Sequence, residues 1–317
     1  MPKIPVTARP KQITSTLFMV RPHSFGFNEE TAESNAFMNQ DEGHSNKELR
    51  QLATEEFDNF VQALREAQIN IKVFDDPKKP HTPDAVFPNN WISTHTNGKL
   101  FLYPLQAESR RLERREDIVD YIQSQAGPYE VIDLTSWEKQ DKFLESTGSM
   151  IMDRVNQRVY ACISPRTNPE LMRLFCQKAE CDAVIFHAVD QNGQDIYHTN
   201  VMMALGVDFA VICLDSIRDL VERQTVINKL NESGHEIIEI SQEQVNAFAG
   251  NMLQVENTQG ERYLVMSRRA HESLLPAQRE RLSALSNIIV GPLDVIETVG
   301  GGSVRCMMAE IFPFTAT

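Results

Sequence analysis

The sequence predicts an α/β fold in which five ββαβ-type repeats are set in a ring, and three observations point there. Five segments share one plan: a small or amide residue, an apolar strand, a turn and a returning strand. With Asn90, Ser149, Asn200, Asn251 and Ser303 taken as equivalent positions, the intervals are 59, 51, 51 and 52 residues, and such a period decides the architecture before any finer assignment. Finally, the fifth repeat breaks off near Phe312 with no returning strand, while "STLFMVRP" (Ser15 to Pro22) is a strand of suitable length with no partner of its own.

The elements follow in order. The hairpins are "NNWISTHTNGKLFLYPL" from Asn89, "TGSMIMDRVNQRVYACIS" from Thr147, "HTNVMMALGVDFAVICLDS" from His198, "AGNMLQVENTQGERYLVMS" from Ala249 and the truncated "GGSVRCMMAEIF" from Gly301. Their turns at Asn97-Gly98, Asn156-Gln157, Gly206-Val207-Asp208 and Asn257 to Gly260 suit tight connections. Polar, cap-like starts with helical spacing follow several of them, in "SPRTNPELMRLFCQKA", "DSIRDLVERQTVINKLNESG" and "SRRAHESLLPAQRERLSAL". A single short strand then closes each unit: "INIKVF", "YEVIDL", "CDAVIFHAV", "HEIIEI" and "NIIVGPLDVIE". Hairpins pair locally, so a doubly wound sheet, or two ordinary α/β domains, describes this pattern poorly. A radial arrangement in which the N-terminal strand completes the last unit closes the ring and removes exposed edges. Residues 1–317 then form a single domain.

Composition narrows the function. The chain has 44 acidic against 31 basic residues and a formal charge of −13, which argues against nucleic-acid or anionic-membrane binding and leaves small-molecule ligands open. No leader-like apolar stretch follows the first basic residues and no apolar run approaches membrane-spanning length, so a cytoplasmic protein is expected. The five cysteines are Cys162, Cys176, Cys181, Cys213 and Cys306. Cys176 and Cys181 lack the His/Cys partners of a zinc site, and no metal or organic cofactor is implied.

In a pseudo-symmetric ring the hairpin starts converge on the axis. Unusual residues gather there: Asp84 and Asn89-Asn90, Glu145, His198 and Asn200, Asn251, and Cys306. A cysteine in an apolar strand is ordinarily a small core residue. The preceding "GGGS" lets backbone approach closely and leaves the thiol uncrowded, and a nucleophilic thiol needs a proton acceptor and an orienting group. His198 and Glu145 supply these at matched repeat positions, since a buried carboxylate requires a partner such as an imidazole N–H. His44 and His271 instead lie in polar stretches.

The ordered motifs "PDAVFPNNW", "LESTGSM", "YHTN" and "GGGSVRCM", spread over Val20 to Phe312, resemble the guanidino-group-modifying, or pentein, superfamily of arginine deiminases, dimethylarginine dimethylaminohydrolases and amidinotransferases. The resemblance implies a five-bladed α/β propeller with a Cys nucleophile, a His acid/base and an acidic partner, here Cys306, His198 and Glu145. The wording, including "MVRPHSFGFNEET", looks most like the citrulline-utilisation hydrolase branch. In arginine deiminases the residues matching Asn90 and Asn200 are aspartates that clamp the guanidinium; two amides suit a neutral ureido group, whose carbonyl an amide N–H can satisfy. Citrulline is the expected substrate, cleaved to ornithine, ammonia and carbon dioxide, with a guanidino substrate (deimination or amidino transfer) and a non-catalytic binding propeller as the alternatives. The resemblance also suggests that Asp84 contacts substrate. Arg21 and Arg305 are candidates for the substrate carboxylate, with Arg305 the weaker because strand alternation turns it away from the Cys306 face. Backbone amides of Gly300 to Ser303, or Asn200, could serve an oxyanion.

Overall fold

The computed structural model describes residues 10–41, 43–77 and 79–314. Among the described residues fifteen strands form five three-stranded sheets. Strands β3 (Ile92–Thr94), β4 (Lys99–Leu102) and β5 (Glu130–Asp133) make one; β6 (Ile151–Asp153), β7 (Arg158–Cys162) and β8 (Asp182–Phe186) the next. Strands β9 (Met203–Leu205), β10 (Phe209–Ile212) and β11 (Glu236–Glu239) form the third, and β12 (Leu253–Glu256), β13 (Arg262–Ser267) and β14 (Asn287–Gly291) the fourth. In each, the first two strands are an antiparallel hairpin and the third adds in parallel to the middle one, the parallel step requiring a crossover.

The fifth sheet is assembled from both ends of the chain. Strand β1 (Thr16–Arg21) pairs antiparallel with β15 (Ala309–Glu310) and parallel with β2 (Asn70–Asp75), so the N-terminal strand does complete the last unit. Inner strands then meet around an axis: β6 lies beside β9, β9 beside β12, and β15 beside β3. The molecule is a five-bladed α/β propeller.

Helices clad the blades for local reasons. Asn46–Glu66 starts with a capping box between Ser45 and Glu48 and buries Leu49, Ala53, Phe57, Phe60, Val61 and Leu64 along one face. Asn168 caps Pro169–Ala179, and Asp219 caps Leu220–Glu232. The stretch expected as one helix after β13 is two, Arg268–Ser273 and Pro276–Leu285, because Pro276 cannot continue a helix but starts one readily.

A second difference matters for function. Helical turns precede four of the inner strands: Pro88–Asn90, Ser146–Ser149, Thr199–Met202 and Val304–Met307. Cys306 is therefore on a turn, not in a strand, held there as the Cys306 and Met307 N–H groups donate to Ser303 O at 3.0 and 3.3 Å. Ser303 immediately precedes its turn, the place taken elsewhere by Glu145 and His198, whereas Ser149 and Asn200 lie within theirs. The repeat match at Ser303 is thus out of step by a few residues.

Candidate active site

The inner turns bring Asp84, Asn90, Glu145, His198, Asn200 and Cys306 together, all of them buried. Most of them line a small cavity of about 20 Å³, together with Thr31, Asn35, Phe87, Arg110, Arg166, Tyr197 and Gly300 to Gly302. Behind its wall Glu145 Oε2 accepts from His198 Nε2 at 2.8 Å and from Asn90 Nδ2 at 3.3 Å. Its other oxygen accepts from the Gln106 N–H at 3.0 Å. Because Nε2 donates to the carboxylate, Nδ1 is the ring nitrogen left free to exchange a proton. Gly148 packs against that edge: a Cβ there would lie 2.8 Å from His198 Nδ1, so the ring position demands glycine.

Cys306 Sγ receives two amide N–H groups, from Asn251 Nδ2 at 3.3 Å and Asn200 Nδ2 at 3.5 Å. The Asn251 amide is locked, since its Oδ1 accepts from Arg305 N at 3.0 Å and its Nδ2 also donates to Asn200 O at 2.9 Å.

Asp84 is tethered through Oδ2, which accepts from Asn28 Nδ2 at 2.8 Å and Thr31 Oγ1 at 3.0 Å. Its Oδ1, with Asn90 Oδ1 and Asn200 Oδ1, is buried without a hydrogen-bond partner. Buried acceptors are rarely left unpaired except where something else is to bind.

Burial pulls the ionisable groups in different directions. It would raise the Glu145 carboxyl, but the Arg166 charge, 3.6 Å away, and the His198 hydrogen bond outweigh it and hold Glu145 well below the usual range. Burial pushes His198 down to about 4 against the pull of Glu145, so at neutral pH the pair is carboxylate and neutral imidazole. Asp84 is pushed up by burial despite Arg110, and Glu113, paired with Arg110 at 2.8 Å, is pushed up to about 7.

One sequence expectation fails here. Arg21 is not in the site: it sits at the end of β1, bonded twice to Asp58 at 2.8 and 2.6 Å, beside a surface cavity of about 850 Å³. Its strand position turns it onto the outer helix Asn46–Glu66. Arg305 points away from the cavity, donating to Met308 O at 2.9 Å and Glu310 Oε2 at 2.7 Å, although a turn rather than strand alternation sets its direction. The guanidiniums that do reach the cavity are Arg110 and Arg166; in sequence each is an ordinary arginine in a polar stretch, and no local signal marks it. The glycine run lines the cavity beside Cys306, as expected, and meets a packing demand as well. Gly300 and Gly302 are packed under the Phe87 ring, and Gly301, at φ +62°, leaves no room for a Cβ beside Met38 and Asn35.

A thiol flanked by donors beside a carboxylate–imidazole pair is equipped for nucleophilic attack with proton transfer at Nδ1. Among the described residues no group of three His, Cys, Asp or Glu side chains could hold a metal ion, and no helix is long and apolar enough to cross a membrane.

Comparison with known proteins bears on the fold and the family. The N-terminal domain of ArgZ, an arginine dihydrolase from the ornithine–ammonia cycle in cyanobacteria, shares 16% identity with a TM-score of 0.73, over 94% of this chain and 98% of that one. Unliganded AgrE gives 17% and 0.74, over 95% of this chain and 40% of its own. A dimethylarginine dimethylaminohydrolase adduct with S-methyl-L-thiocitrulline gives 17% and 0.64, over 94% and 99%. At such identities these likenesses speak for the fold. A comparison with curated protein sequences found no match. The family model described as "N,N dimethylarginine dimethylhydrolase, eukaryotic" matches residues 21–313, nearly the whole propeller, and the chain therefore belongs to that family of C–N hydrolases, within the guanidino-group-modifying pentein superfamily.

Proposed function

We propose that the protein hydrolyses the C–N bond of a linear ureido amino acid, citrulline above all, through Cys306. The observation that carries this reading is the charge of the uncommitted acceptors near the thiol. Two of the three, Asn90 Oδ1 and Asn200 Oδ1, are neutral amide oxygens, and only Asp84 Oδ1 is anionic. Three acceptors match the three N–H groups of a ureido group, whereas a guanidinium brings five donors and a full charge. The Asn200 and Asn251 amide N–H groups point at Sγ and hold it in place for attack.

In the reaction the Cys306 proton passes to His198, and the thiolate attacks the ureido carbon. The C–N bond to the side chain breaks as His198 returns the proton to the departing ornithine amine. Glu145 holds the imidazolium in between. Water, deprotonated by His198, then attacks the carbamoyl thioester; the C–S bond breaks, and the carbamate released decomposes to ammonia and carbon dioxide. Arg110 and Arg166 are the cations placed for the substrate carboxylate. A cavity of about 20 Å³ holds little more than one water, so the site has to widen for substrate, and one of its walls is the segment carrying Thr31 and Asn35. An open cavity of about 780 Å³ lies on its other side, lined by Ser34, Phe37 and Tyr197, and offers the approach.

The buried Asp84 favours a second reading, a guanidino substrate such as the arginine of ArgZ. Incubation with citrulline, arginine and agmatine, followed by assays for ornithine and ammonia, separates the two. Ornithine and ammonia from citrulline are expected; turnover of arginine with citrulline left intact overturns the ureido reading.

A further inference from the structure

Far from the cavity, the helix Pro169–Ala179 ends on Glu180, whose backbone is left-handed at φ 62° and ψ 52°. The Cys181 N–H donates back to Cys176 O at 3.0 Å. That bond over a left-handed residue is the Schellman ending, which presses the side chains at its two ends together, ordinarily as an apolar contact. Here both ends are cysteines. Cys176 belongs to the cluster of Phe101, Tyr103, Leu171 and Phe175, and Cys181 packs against the same cluster. Cys176 is buried, whereas Cys181 is partly exposed and lines a solvent-open cavity of about 500 Å³ with His95, Arg158 and Glu180. Neither residue touches the active-site cavity.

We propose that Cys176 and Cys181 form a redox-active dithiol that closes to an intrachain disulfide across the helix end when the protein meets a small-molecule disulfide. A backbone bond between the two residues keeps their α-carbons within the span a disulfide bridges. The chemistry has an order set by access. Cys181, the partly exposed partner that lines the cavity, is the one a small disulfide can reach, so its thiolate attacks first. It displaces one thiolate from the small disulfide, forming a mixed disulfide. Cys176 then loses its proton, attacks the Cys181 sulfur and expels the second thiolate. The protein loses two electrons and two protons, and the oxidant leaves as two thiols.

The test uses the full chain and oxidised glutathione as the probe, with alkylation of remaining thiols and mass mapping before and after reduction. The expected result joins the peptides Leu174–Lys178 and Ala179–Arg218, with a mass loss of two hydrogens and no glutathione retained on either cysteine. In Cys176→Ser the resolving thiol is gone, so glutathione should stay on Cys181; in Cys181→Ser the buried Cys176 should remain unmodified. The proposal is overturned if the wild-type chain retains glutathione on Cys181, if both thiols stay free to alkylate, or if Cys181 pairs with Cys213 of the same peptide.

Discussion

Replacing Asn90 by aspartate tests how the site reads charge. Asn90 Nδ2 lies 3.3 Å from Glu145 Oε2, so Asn90→Asp sets two buried carboxylate oxygens at that separation. Two unit charges there repel by about 5 kcal/mol at an effective dielectric constant of about 20. Arg166, 3.6 Å from the same Glu145 oxygen, offsets part of it. Two consequences follow. The extra negative charge stabilises the His198 imidazolium, so its pKa rises from about 4 towards the ordinary value, visible as an NMR titration of the ring. Ligand preference moves as well, because a cation gains what a neutral ligand cannot. If about half of that repulsion is relieved by a guanidinium, the ratio of arginine to citrulline affinity rises about a hundredfold. Calorimetry in a Cys306→Ala background, which prevents turnover, measures both constants. An affinity ratio that moves less than about threefold, with the circular dichroism unchanged, refutes the argument that neutral acceptors select a neutral group.

Other outcomes follow from the same geometry. Cys306→Ser should lose turnover with folding intact, a hydroxyl being a far weaker nucleophile than a thiolate; activity with citrulline near that of wild type removes Cys306 from the mechanism. For His198, the unfolded chain binds a proton below about 6.5 while the folded site resists until about 4, so its contribution to stability falls with pH across that window by about 3 kcal/mol. Denaturation of wild type and His198→Asn at pH 7 and pH 4.5 should show the wild type losing more on acidification. Arg21→Ala removes an exposed ion pair and should change stability by less than about 1 kcal/mol with KM unaltered, whereas Arg166→Met should raise KM strongly. Deleting residues 1–22 takes β1 out of the fifth sheet and should yield aggregated protein by size-exclusion chromatography; a soluble, active truncation contradicts ring closure.

Much of the fold is legible in sequence because hairpins declare themselves locally. Turn residues and alternating apolar positions give β3–β4, β6–β7, β9–β10 and β12–β13, and the unpaired Ser15–Pro22 strand finds its place because β15 has no hairpin partner. The helical turns before the inner strands are not legible. Runs such as "VRCMM" are apolar throughout, and four or five such residues fit a turn as well as a strand; what decides is Ser303 O accepting two backbone N–H groups, a tertiary outcome. Arg110 and Arg166 escape for a related reason. Arginines are mostly exposed, and these two are buried only because Glu113, Phe87 O, Thr31 O and Ser34 are assembled around them.

Asn90 and Asn200 show where sequence reasoning reaches its limit within a site. As residue types they are donor and acceptor at once, and the sequence-based expectation has their N–H groups facing a ureido carbonyl. The structure turns them the other way. Glu145 consumes the Asn90 N–H and Cys306 consumes that of Asn200, so the oxygens are what remain. Selection for a neutral substrate then rests on the absence of charge at two acceptors, not on donation to a carbonyl. A carboxylate in either place keeps the acceptor that faces the ligand while adding charge, and the N–H it gives up bonds Glu145 or Cys306 and not the ligand, so that loss is common to both ligands compared. For that reason the Asn90→Asp affinity ratio isolates charge from hydrogen-bond geometry, which an alanine substitution, deleting both, cannot do.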